Sequence, residues 1–350
     1  MIMKKKLCLG ALLCGILFFV IATHTIQKDA SLSSYMVVSP ATKGRTTIQT
    51  PTLTPTTTTT PVPVSGREST CSCKTCVADT GKSEWFDQLF DREQQPYLIN
   101  GEYKMDHVSW DWWLGLQRSV YDETLEEVIH KMFTVFSSPL AELSGQRNHC
   151  GSCAVVGNSG NLLGSRHGAA IDSNKIVIRM NKAITQGYEA DVGNRTTHHI
   201  IYPESAVDLS PGVHLVLLPF KLLDIKWLTS ALSTGEITRT YMRVKNLVRA
   251  DKDKVMVINP MFIKYTHEKW NMKHGRYPST GMLAIIFALH LCDEVSVFGY
   301  GADEKGNWHH YWENNKNGGA FRKTGVHSGD FEKKIIHELD KVGKIRLYER

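Results

Sequence analysis

The chain has 350 residues, of which 42% are hydrophobic and 22% charged, with 41 Lys and Arg against 35 Asp and Glu. This is the composition of a globular protein with a sizeable core, and it excludes wholesale disorder and fibrous repeats. Residues 1–70 hold seven Lys and Arg against two Asp and Glu, which leaves the other 280 residues with a net charge of only +1. A nucleic-acid-binding domain needs a basic face that neutralises phosphates, so nucleic acid is not an expected partner.

The N-terminus predicts a short cytoplasmic tail, residues 1–6, and a transmembrane signal anchor, residues 7–23. Three lysines precede an uncharged run of 17 residues, which as a helix spans about 25 Å. A span of this length suits the thinner bilayers of the early secretory pathway and the Golgi apparatus. The lysines place the N-terminus in the cytosol and the rest of the chain in the lumen. The alternative is a cleaved signal peptide, for which Ile21-Ala22-Thr23 offers a poor cleavage site.

Residues 24–70 predict a disordered stem. Between Ser31 and Thr70 there are 12 Thr, 6 Ser and 5 Pro, and such a segment buries too little apolar surface to order itself. In a lumenal protein this composition is typical of an O-glycosylated stalk. The stem would hold the lumenal domain, residues 71–350, away from the membrane, and cleavage within it would release that domain in secreted form.

Six cysteines lie in the predicted lumenal domain: Cys71, Cys73, Cys76, Cys150, Cys153 and Cys292. In an oxidising lumen they predict three disulfides, whose pairing the sequence alone leaves open. The alternative is a zinc site, because the two Cys-x2-Cys pairs are spaced like metal ligands. However, 73 residues separate these pairs, whereas zinc ribbons place about 15 to 20 residues between them.

Helices and strands alternate along the predicted domain. Apolar residues recur at helical spacing from Leu125 to Phe136, which predicts an amphipathic helix. Seven short apolar or β-branched runs predict strands at Cys153–Val156, Ile176–Met180, His198–Tyr202, Val213–Leu218, Val255–Ile258, Glu294–Phe298 and Ile345–Tyr348. Further helices are predicted at Leu222–Ala231, Met261–Trp270, Gly281–Leu291 and Phe331–Lys341. This order predicts a single α/β domain with a mainly parallel, doubly wound sheet of seven strands.

Ligands of such a sheet bind beyond the carboxyl ends of its strands. The first predicted strand ends in Gly157-Asn158-Ser159-Gly160-Asn161, a loop of small residues that lets the backbone approach a phosphate or nucleoside. A dinucleotide-binding site is the alternative, but the chain lacks GxGxxG, and no acidic residue ends the second strand, Arg179-Met180-Asn181. These observations argue against an NAD-dependent oxidoreductase.

Four segments of the chain resemble, in order, the large, small, third and very small motifs of the animal sialyltransferases. They are residues 153–161 with 179–181, 191–193 and 202–205, then residues 278–301, then His310-Tyr311-Trp312-Glu313, and finally His327 with Glu332. Residues 306–315 and 321–327 further resemble the β-galactoside α2,3-sialyltransferases that act on Galβ1,3GalNAc, the core-1 type. Two closely related enzymes of this type exist, and the sequence does not choose between them.

The resemblance implies a Rossmann-like domain, a variant of the glycosyltransferase A fold, in a single-pass type II protein of the Golgi membrane. It implies inverting transfer of sialic acid from CMP-sialic acid to the galactose 3-hydroxyl of Galβ1,3GalNAc, with no metal and no other cofactor. Acceptors would be galactose-terminated O-glycans of glycoproteins, with glycolipids also open, as is the oligomeric state. One alternative is a lumenal sialoglycan-binding protein or inactive relative, against which the presence of His310, His327 and Glu332 argues.

A metal-dependent transferase of another sugar is a further alternative. Asp251-Lys252-Asp253 is the only Asp-x-Asp in the chain, and that pattern marks the metal site of many other glycosyltransferases. Here it lies among basic residues and precedes a predicted strand instead of following one. Alternating charges of this kind are typical of a solvated turn.

By resemblance, His327 is the general base that removes the acceptor proton, and His310 donates to the phosphate of the departing CMP. A histidine suits both tasks because its ordinary pKa of about 6.5 lies near lumenal pH. The implied contacts to CMP-sialic acid are Asn158, Ser159, Asn181, Ser279, Thr280, Gly281, Gly299, Gly301 and Trp308. The implied contacts to the acceptor are Gln117, Tyr241 and Tyr277.

The resemblance also implies a disulfide pairing. The family joins its large and small motifs, which here pairs Cys153 with Cys292, and Cys71–Cys76 and Cys73–Cys150 would complete the set. Separately, Asn194-Arg195-Thr196 is a glycosylation sequon, which predicts a glycan on Asn194 if that turn lies at the surface.

Overall fold

A computed structural model describes residues 71–102, 105–117, 123–137, 150–302, 306–314 and 325–349. The predicted tail, anchor and stem lie outside the described residues. Within the described ranges, none of the helices has the length and apolar character needed to cross a membrane.

Seven strands form one parallel sheet. They are β1 (Ser152–Val156), β2 (Ile176–Met180), β3 (His198–Ile201), β4 (His214–Leu217), β5 (Val255–Val257), β6 (Glu294–Phe298) and β7 (Arg346–Tyr348). The order across the sheet is β5-β4-β3-β2-β1-β6-β7, and every neighbouring pair is parallel. The predicted seven-stranded doubly wound sheet is therefore confirmed. Each observed strand lies within one or two residues of the apolar run that predicted it.

The described helices flank this sheet. They are α1 (Glu84–Leu89), α2 (His107–Leu116), α3 (Leu125–Phe133), α4 (Gly168–Asp172), α5 (Glu189–Val192), α6 (Leu222–Ala231), α7 (Pro260–Tyr265), α8 (Thr280–Leu291) and α9 (Gly329–Lys341). A π-helical turn, Thr266–Trp270, continues α7, so the predicted helix at Met261–Trp270 is present with a change of winding. The helices α1, α2, α4 and α5 were not predicted.

Helix α3 is the predicted amphipathic helix. Thr124 begins it with a capping box, in which the Thr124 hydroxyl accepts from the Glu127 N–H and the Glu127 carboxylate accepts from the Thr124 N–H. One face, including Val128, Ile129 and Met132, is buried in the core. The helix ends at Phe133, earlier than the apolar spacing predicted, and Phe136 is buried in the segment beyond it.

Helix α8 is buried all round from Met282 to Leu289. It packs against β1, β2 and β6, so no side of it needs polar residues. Ser279 begins the helix, and its hydroxyl accepts from the Met282 N–H at 3.1 Å. The helix therefore presents its N-terminus at the carboxyl edge of the sheet.

The structure contains the disulfides Cys71–Cys76, Cys73–Cys150 and Cys153–Cys292, with Cα atoms 5.8, 4.8 and 6.0 Å apart. This is the expected pairing. All six cysteines of the described residues are thus oxidised, which leaves none of them as the thiolate that a zinc site requires. The third disulfide ties the C-terminal end of α8 to β1.

The sheet has a topological switch point at β1. The chain passes from β1 to β2 on one side, whereas β6 lies against the other side of β1. In doubly wound sheets the connecting segments diverge at such a point and leave a crevice beyond the carboxyl ends of the two strands. The fold therefore places a binding crevice at Gly157 and Gly299, which directly follow β1 and β6.

Candidate active site

A cavity of about 390 Å³ occupies this crevice, which is within the usual range of small-molecule sites. Its wall includes most of the predicted donor-site residues and both predicted catalytic residues: Asn158, Ser159, Ser279, Gly281, Gly299, Gly301, Trp308, His310 and His327. The structure thus brings residues from four sequence-distant segments to one site.

Two predicted donor-site residues do not line the cavity. The backbone of Asn181 bonds to β3, since its N–H donates to the Ile200 carbonyl at 2.9 Å and its carbonyl lies 2.6 Å from Nε2 of His199. Its side-chain Oδ1 is buried and has no hydrogen-bond partner among the described residues. Thr280 lies between Ser279 and Gly281, which do line the cavity. Successive helical residues project about 100° apart, so neighbours in the chain need not share a face. The cavity wall also includes residues that the sequence did not indicate, among them Tyr300, Lys333, His337 and Glu349.

Glycine is required where the loops after β1 and β6 meet. The Gly157 N–H donates to the Phe298 carbonyl at 2.8 Å across the switch point. A Cβ on Gly157 would lie 2.3 Å from the Gly299 carbonyl oxygen, and Gly299 itself has a φ of +70°. Neither position has space or conformation for a side chain, so bare backbone faces the ligand at this point.

Asn158 presents an unsatisfied polar group at the same loop. Its Nδ2 donates to the Met180 carbonyl at 3.0 Å, which fixes the amide orientation. Its Oδ1 is buried and, in the part of the chain that the structure describes, has no hydrogen-bond partner. Because an unpaired buried oxygen is costly, this atom is suited to accept a hydrogen bond from a bound ligand.

Glu332 fixes the N-terminus of α8. Its carboxylate accepts three hydrogen bonds, from the Ser279 N–H at 2.8 Å, the Ser279 hydroxyl at 2.6 Å and Nδ2 of Asn271 at 3.0 Å. The Glu332 side chain is buried, and α9 carries it. The glutamate of the very small motif is therefore a positioning residue that locks α9 to the start of α8.

His327 lies between the cavity and the predicted acceptor residues. Its Nδ1 is 3.0 Å from the Tyr277 carbonyl oxygen, and its ring meets the Tyr277 ring edge-on at 5.0 Å. A carbonyl oxygen can only accept, so Nδ1 carries the proton and Nε2 carries the lone pair of the neutral ring. This is the tautomer that a general base needs.

His310 is held by the segment that resembles the third motif. Its Nδ1 lies 3.0 Å from Oε1 of Glu313, and this hydrogen bond lowers the pKa of the Glu313 carboxyl. The His310 ring stacks on Trp312 at 4.6 Å, and its backbone bridges to Ser159. An ionised carboxylate can only accept, so Nδ1 of His310 carries a proton and the ring is held in one orientation.

The predicted acceptor residues form a second cluster, which the cavity wall does not include. At its centre is Lys221, a residue that the sequence analysis missed. Its Nζ donates to Oε1 of Gln117 at 2.7 Å and lies 5.1 Å from the centre of the Tyr241 ring. Tyr277 joins the cluster to His327, and its ring also packs at 4.8 Å against Phe220.

Two acidic side chains neutralise Lys221. Asp224 lies 2.7 Å from its Nζ and Glu204 lies 3.8 Å away, and all three side chains are at most 5% exposed. Burial raises the pKa of Asp224 to about 6, and the attraction of Lys221 opposes this shift. Burial likewise raises the pKa of Tyr241 to about 12. Tyr241 therefore keeps its hydroxyl proton at neutral pH and can donate it to a sugar oxygen.

The remaining candidate residues lie at the opposite edge of the sheet. Asp251 begins a short 3₁₀ turn, Lys252–Lys254, that contains Asp253 and precedes β5, and the Asp251 carboxylate accepts from the Gly212 N–H at 2.6 Å. This Asp-x-Asp therefore does not face the cavity. Asn194 is exposed in the turn between α5 and β3, a position that is accessible to a glycan.

A cavity at the switch point of a doubly wound sheet, with His309, His310, His327 and His337 on its wall, is the place where such a fold binds a nucleotide-sized ligand. The model of glycosyltransferase family 29 (sialyltransferase) matches residues 98–344. The chain therefore belongs to glycosyltransferase family 29, the sialyltransferases.

Individual relatives agree with this assignment. The chain is 51% identical over 278 residues to CMP-N-acetylneuraminate-beta-galactosamide-alpha-2,3-sialyltransferase 2 of Rattus norvegicus, and the match covers 79% of each protein. It is 48% identical over 280 residues to the corresponding sialyltransferase 1 of Gallus gallus, which covers 80% of this chain and 82% of that protein. The crystal structure of a mammalian sialyltransferase in complex with Gal-beta-1-3GalNAc-ortho-nitrophenol matches with a TM-score of 0.75 at 45% identity, over 80% of this chain and 99% of that one.

Proposed function

We propose that this enzyme transfers sialic acid from CMP-sialic acid to the galactose 3-hydroxyl of Galβ1,3GalNAc. The observation that carries the proposal is the position of His327, which lines the nucleotide cavity and contacts Tyr277 of the acceptor cluster. One residue thus borders both the place for the donor and the place for the acceptor. The names of the relatives and the ligand of the related crystal structure support the same pair of substrates.

The geometry fits a single displacement with inversion. The galactose 3-oxygen forms a bond to the anomeric carbon of sialic acid while the bond from that carbon to the phosphate oxygen breaks. Nε2 of His327 takes the proton of the 3-hydroxyl, and CMP leaves with the electron pair of the broken bond. Protonated His310 donates to the phosphate and stabilises the charge that develops there.

The acceptor cluster would orient the disaccharide. The Lys221 ammonium group can only donate, so its hydrogen bond to Gln117 fixes Oε1 on the lysine side of the amide. The NH2 group of Gln117 is then the part of the amide that can donate to a sugar. Tyr241 and Tyr277 supply aromatic surface beside it. These groups suit a sugar, which needs both apolar contact and hydrogen bonds.

We further propose that the enzyme is a single-pass type II protein of the Golgi membrane that sialylates O-glycans. The uncharged run at residues 7–23 behind three lysines and the Ser, Thr and Pro-rich stem support this location. The three disulfides agree with an oxidising lumen.

The purified lumenal domain is expected to release CMP from CMP-sialic acid only when a galactoside is present, and to prefer Galβ1,3GalNAc. The test compares initial rates with Galβ1,3GalNAc, Galβ1,4GlcNAc and a ganglioside that ends in Galβ1,3GalNAc. A higher kcat/KM for Galβ1,4GlcNAc would contradict the proposed acceptor. Absence of transfer to every galactoside would favour a sialoglycan-binding protein.

Excess EDTA is expected to leave the transfer rate nearly unchanged, because we assign the stabilisation of the leaving phosphate to protein groups, His310 among them. The measurement compares initial rates before and after dialysis against the chelator. Full loss of activity that manganese restores would refute metal-independent transfer.

A further inference from the structure

Residues 238–244 form a short turn with Tyr241 at its tip. We name it the arginine turn, after Arg239 and Arg243. The Thr240 N–H donates to the Met242 carbonyl at 2.9 Å, and the Val244 N–H donates to the Thr238 carbonyl at 3.0 Å. Between these two bonds Arg239 and Arg243 stand opposite each other as an antiparallel bridge. They form a non-hydrogen-bonded pair of an antiparallel ladder. In such a pair the Cα atoms are about 4.5 Å apart, and both side chains project from the same face of the two strands.

This arrangement places two positive charges side by side. Arg239 and Arg243 are both exposed, and like charges directly opposite in an antiparallel pair are destabilising. Neither guanidinium forms an ion pair with any described residue. Asp208 pairs with Lys245 and Arg249, and Glu204, which accepts from the Thr240 hydroxyl, pairs with Lys221.

The arginine turn is fixed to the acceptor cluster at two points. The Thr240 hydroxyl donates to the Glu204 carboxylate, which is itself buried beside Lys221. The Tyr241 ring lies over Lys221, and Lys221 holds Gln117. Arg239 and Arg243 flank these two contacts along the chain, so a sugar bound at Gln117 and Tyr241 would lie beside the arginine turn.

The charges of the surroundings indicate what these arginines bind. Asp224 and Glu204 exceed the charge of Lys221 by one negative charge. The two arginines add two positive charges, so the cluster and the arginine turn together carry a net charge of +1. The guanidinium group matches the two oxygens of a carboxylate or a sulfate with paired hydrogen bonds. The galactose 3-hydroxyl must reach His327, so the anionic group belongs to a part of the acceptor that lies beyond the galactose.

We propose that Arg239 and Arg243 bind a carboxylate or sulfate that the acceptor carries outside the galactose, so that this enzyme favours anionic acceptors over neutral ones. The proposal rests on the proposed function for the place of the acceptor. The anionic group has two sources, an acidic substituent on the GalNAc or an acidic side chain next to the glycosylated residue of a peptide.

The experiment measures kcat/KM with three matched acceptors. The first is a neutral glycopeptide with Galβ1,3GalNAc, the second has Asp beside the glycosylated threonine, and the third carries a sulfate on the GalNAc 6-oxygen. The wild-type enzyme is expected to prefer at least one anionic acceptor by roughly two- to tenfold, as expected for exposed charge pairs. Higher salt should reduce this preference.

The double variant Arg239→Gln with Arg243→Gln should lose the preference, and its ratio of kcat/KM for anionic and neutral acceptors should fall to about one. The control variant, Lys175→Gln with Lys252→Gln, loses the same charge at the opposite edge of the sheet and should keep the preference. Equal kcat/KM for all three acceptors in the wild type, or a preference that survives in the double variant, would overturn the proposal.

A binding measurement separates this proposal from the proposed function. Calorimetry with sulfated and neutral Galβ1,3GalNAc, in the presence of CMP, needs no turnover. If no galactoside were sialylated, the proposed function would fail, but tighter binding of the sulfated sugar by the wild type than by the double variant would still support the arginine site. Equal binding by the wild type of the neutral sugar, the sulfated sugar and the glycopeptide with Asp beside the glycosylated threonine would reject that site.

Discussion

The His327→Ala variant is expected to lose transfer by about 10²- to 10⁴-fold, the usual contribution of a general base, while its affinity for CMP stays near that of the wild type. The reason is geometric. Nδ1 of His327 is held by the Tyr277 carbonyl, so Nε2 is the atom that can take the acceptor proton, and this proton belongs to the sugar and not to the nucleotide.

The His310→Ala variant is expected to differ, because we propose that His310 donates to the phosphate of CMP. Both turnover and CMP affinity should fall, since a hydrogen bond to a charged group contributes about 1.5 to 3 kcal/mol. Calorimetric titration of CMP into each variant, beside initial transfer rates, distinguishes the two histidines. His130→Ala is a suitable control, because His130 is exposed on α3.

Two results would contradict this division of roles. One is an equal loss of CMP affinity in the His327→Ala and His310→Ala variants. The other is near-normal transfer by His327→Ala, which would mean that another group removes the proton.

The free energy of unfolding of the Glu332→Gln variant is expected to be about 2 to 4 kcal/mol lower than that of the wild type. The glutamine keeps the shape but replaces one accepting oxygen with an NH2 group, which then faces donors of Ser279 or Asn271. Hydrogen bonds to a buried charge are lost and a buried donor is left unpaired. Because Ser279 borders the cavity, the affinity for CMP should fall as well.

Urea unfolding and CMP titration test this expectation, with Asp330→Asn as the matched control. Asp330 is an exposed acidic residue in the same first turn of α9, so its variant loses the same charge near the same helix N-terminus. If the two variants lost equal stability, the charge of the helix end and not the contact with Ser279 would explain the effect of Glu332→Gln.

Much of the sheet could be predicted because its strands are short and covered on both faces. β1 and β2 are buried along almost their whole length, so each appears in the sequence as a continuous apolar run. Helices α4 and α5, with five and four residues, are too short for helical spacing to reveal. Propensity gives little information over a single turn.

The motifs indicated most of the residues that line the cavity, and the resemblance indicated Gln117, Tyr241 and Tyr277 of the acceptor cluster, whereas Lys221 at its centre was not predicted. The cluster depends on contacts between distant residues, such as the bond between Lys221 and Gln117, which are 104 positions apart. A lysine is rarely buried unless it is paired, and nothing local in the sequence shows that Asp224 and Glu204 pair with this one. Its position between Phe220 and Leu222, both buried, was the only available signal.

The attachment of the segment that begins at Cys71 has a practical consequence. Cys73 is tied to Cys150 just before β1, and the Val77 N–H donates to the Asp293 carbonyl just before β6. Both contacts lie at the amino edge of the sheet, whereas the cavity lies at the carboxyl edge. The two edges are separated by the length of a five-residue strand, which is about 16 Å. An affinity tag or a solid support joined directly before Cys71 would therefore leave the entrance for sugar and nucleotide unobstructed, which makes this end the suitable one for immobilising the enzyme.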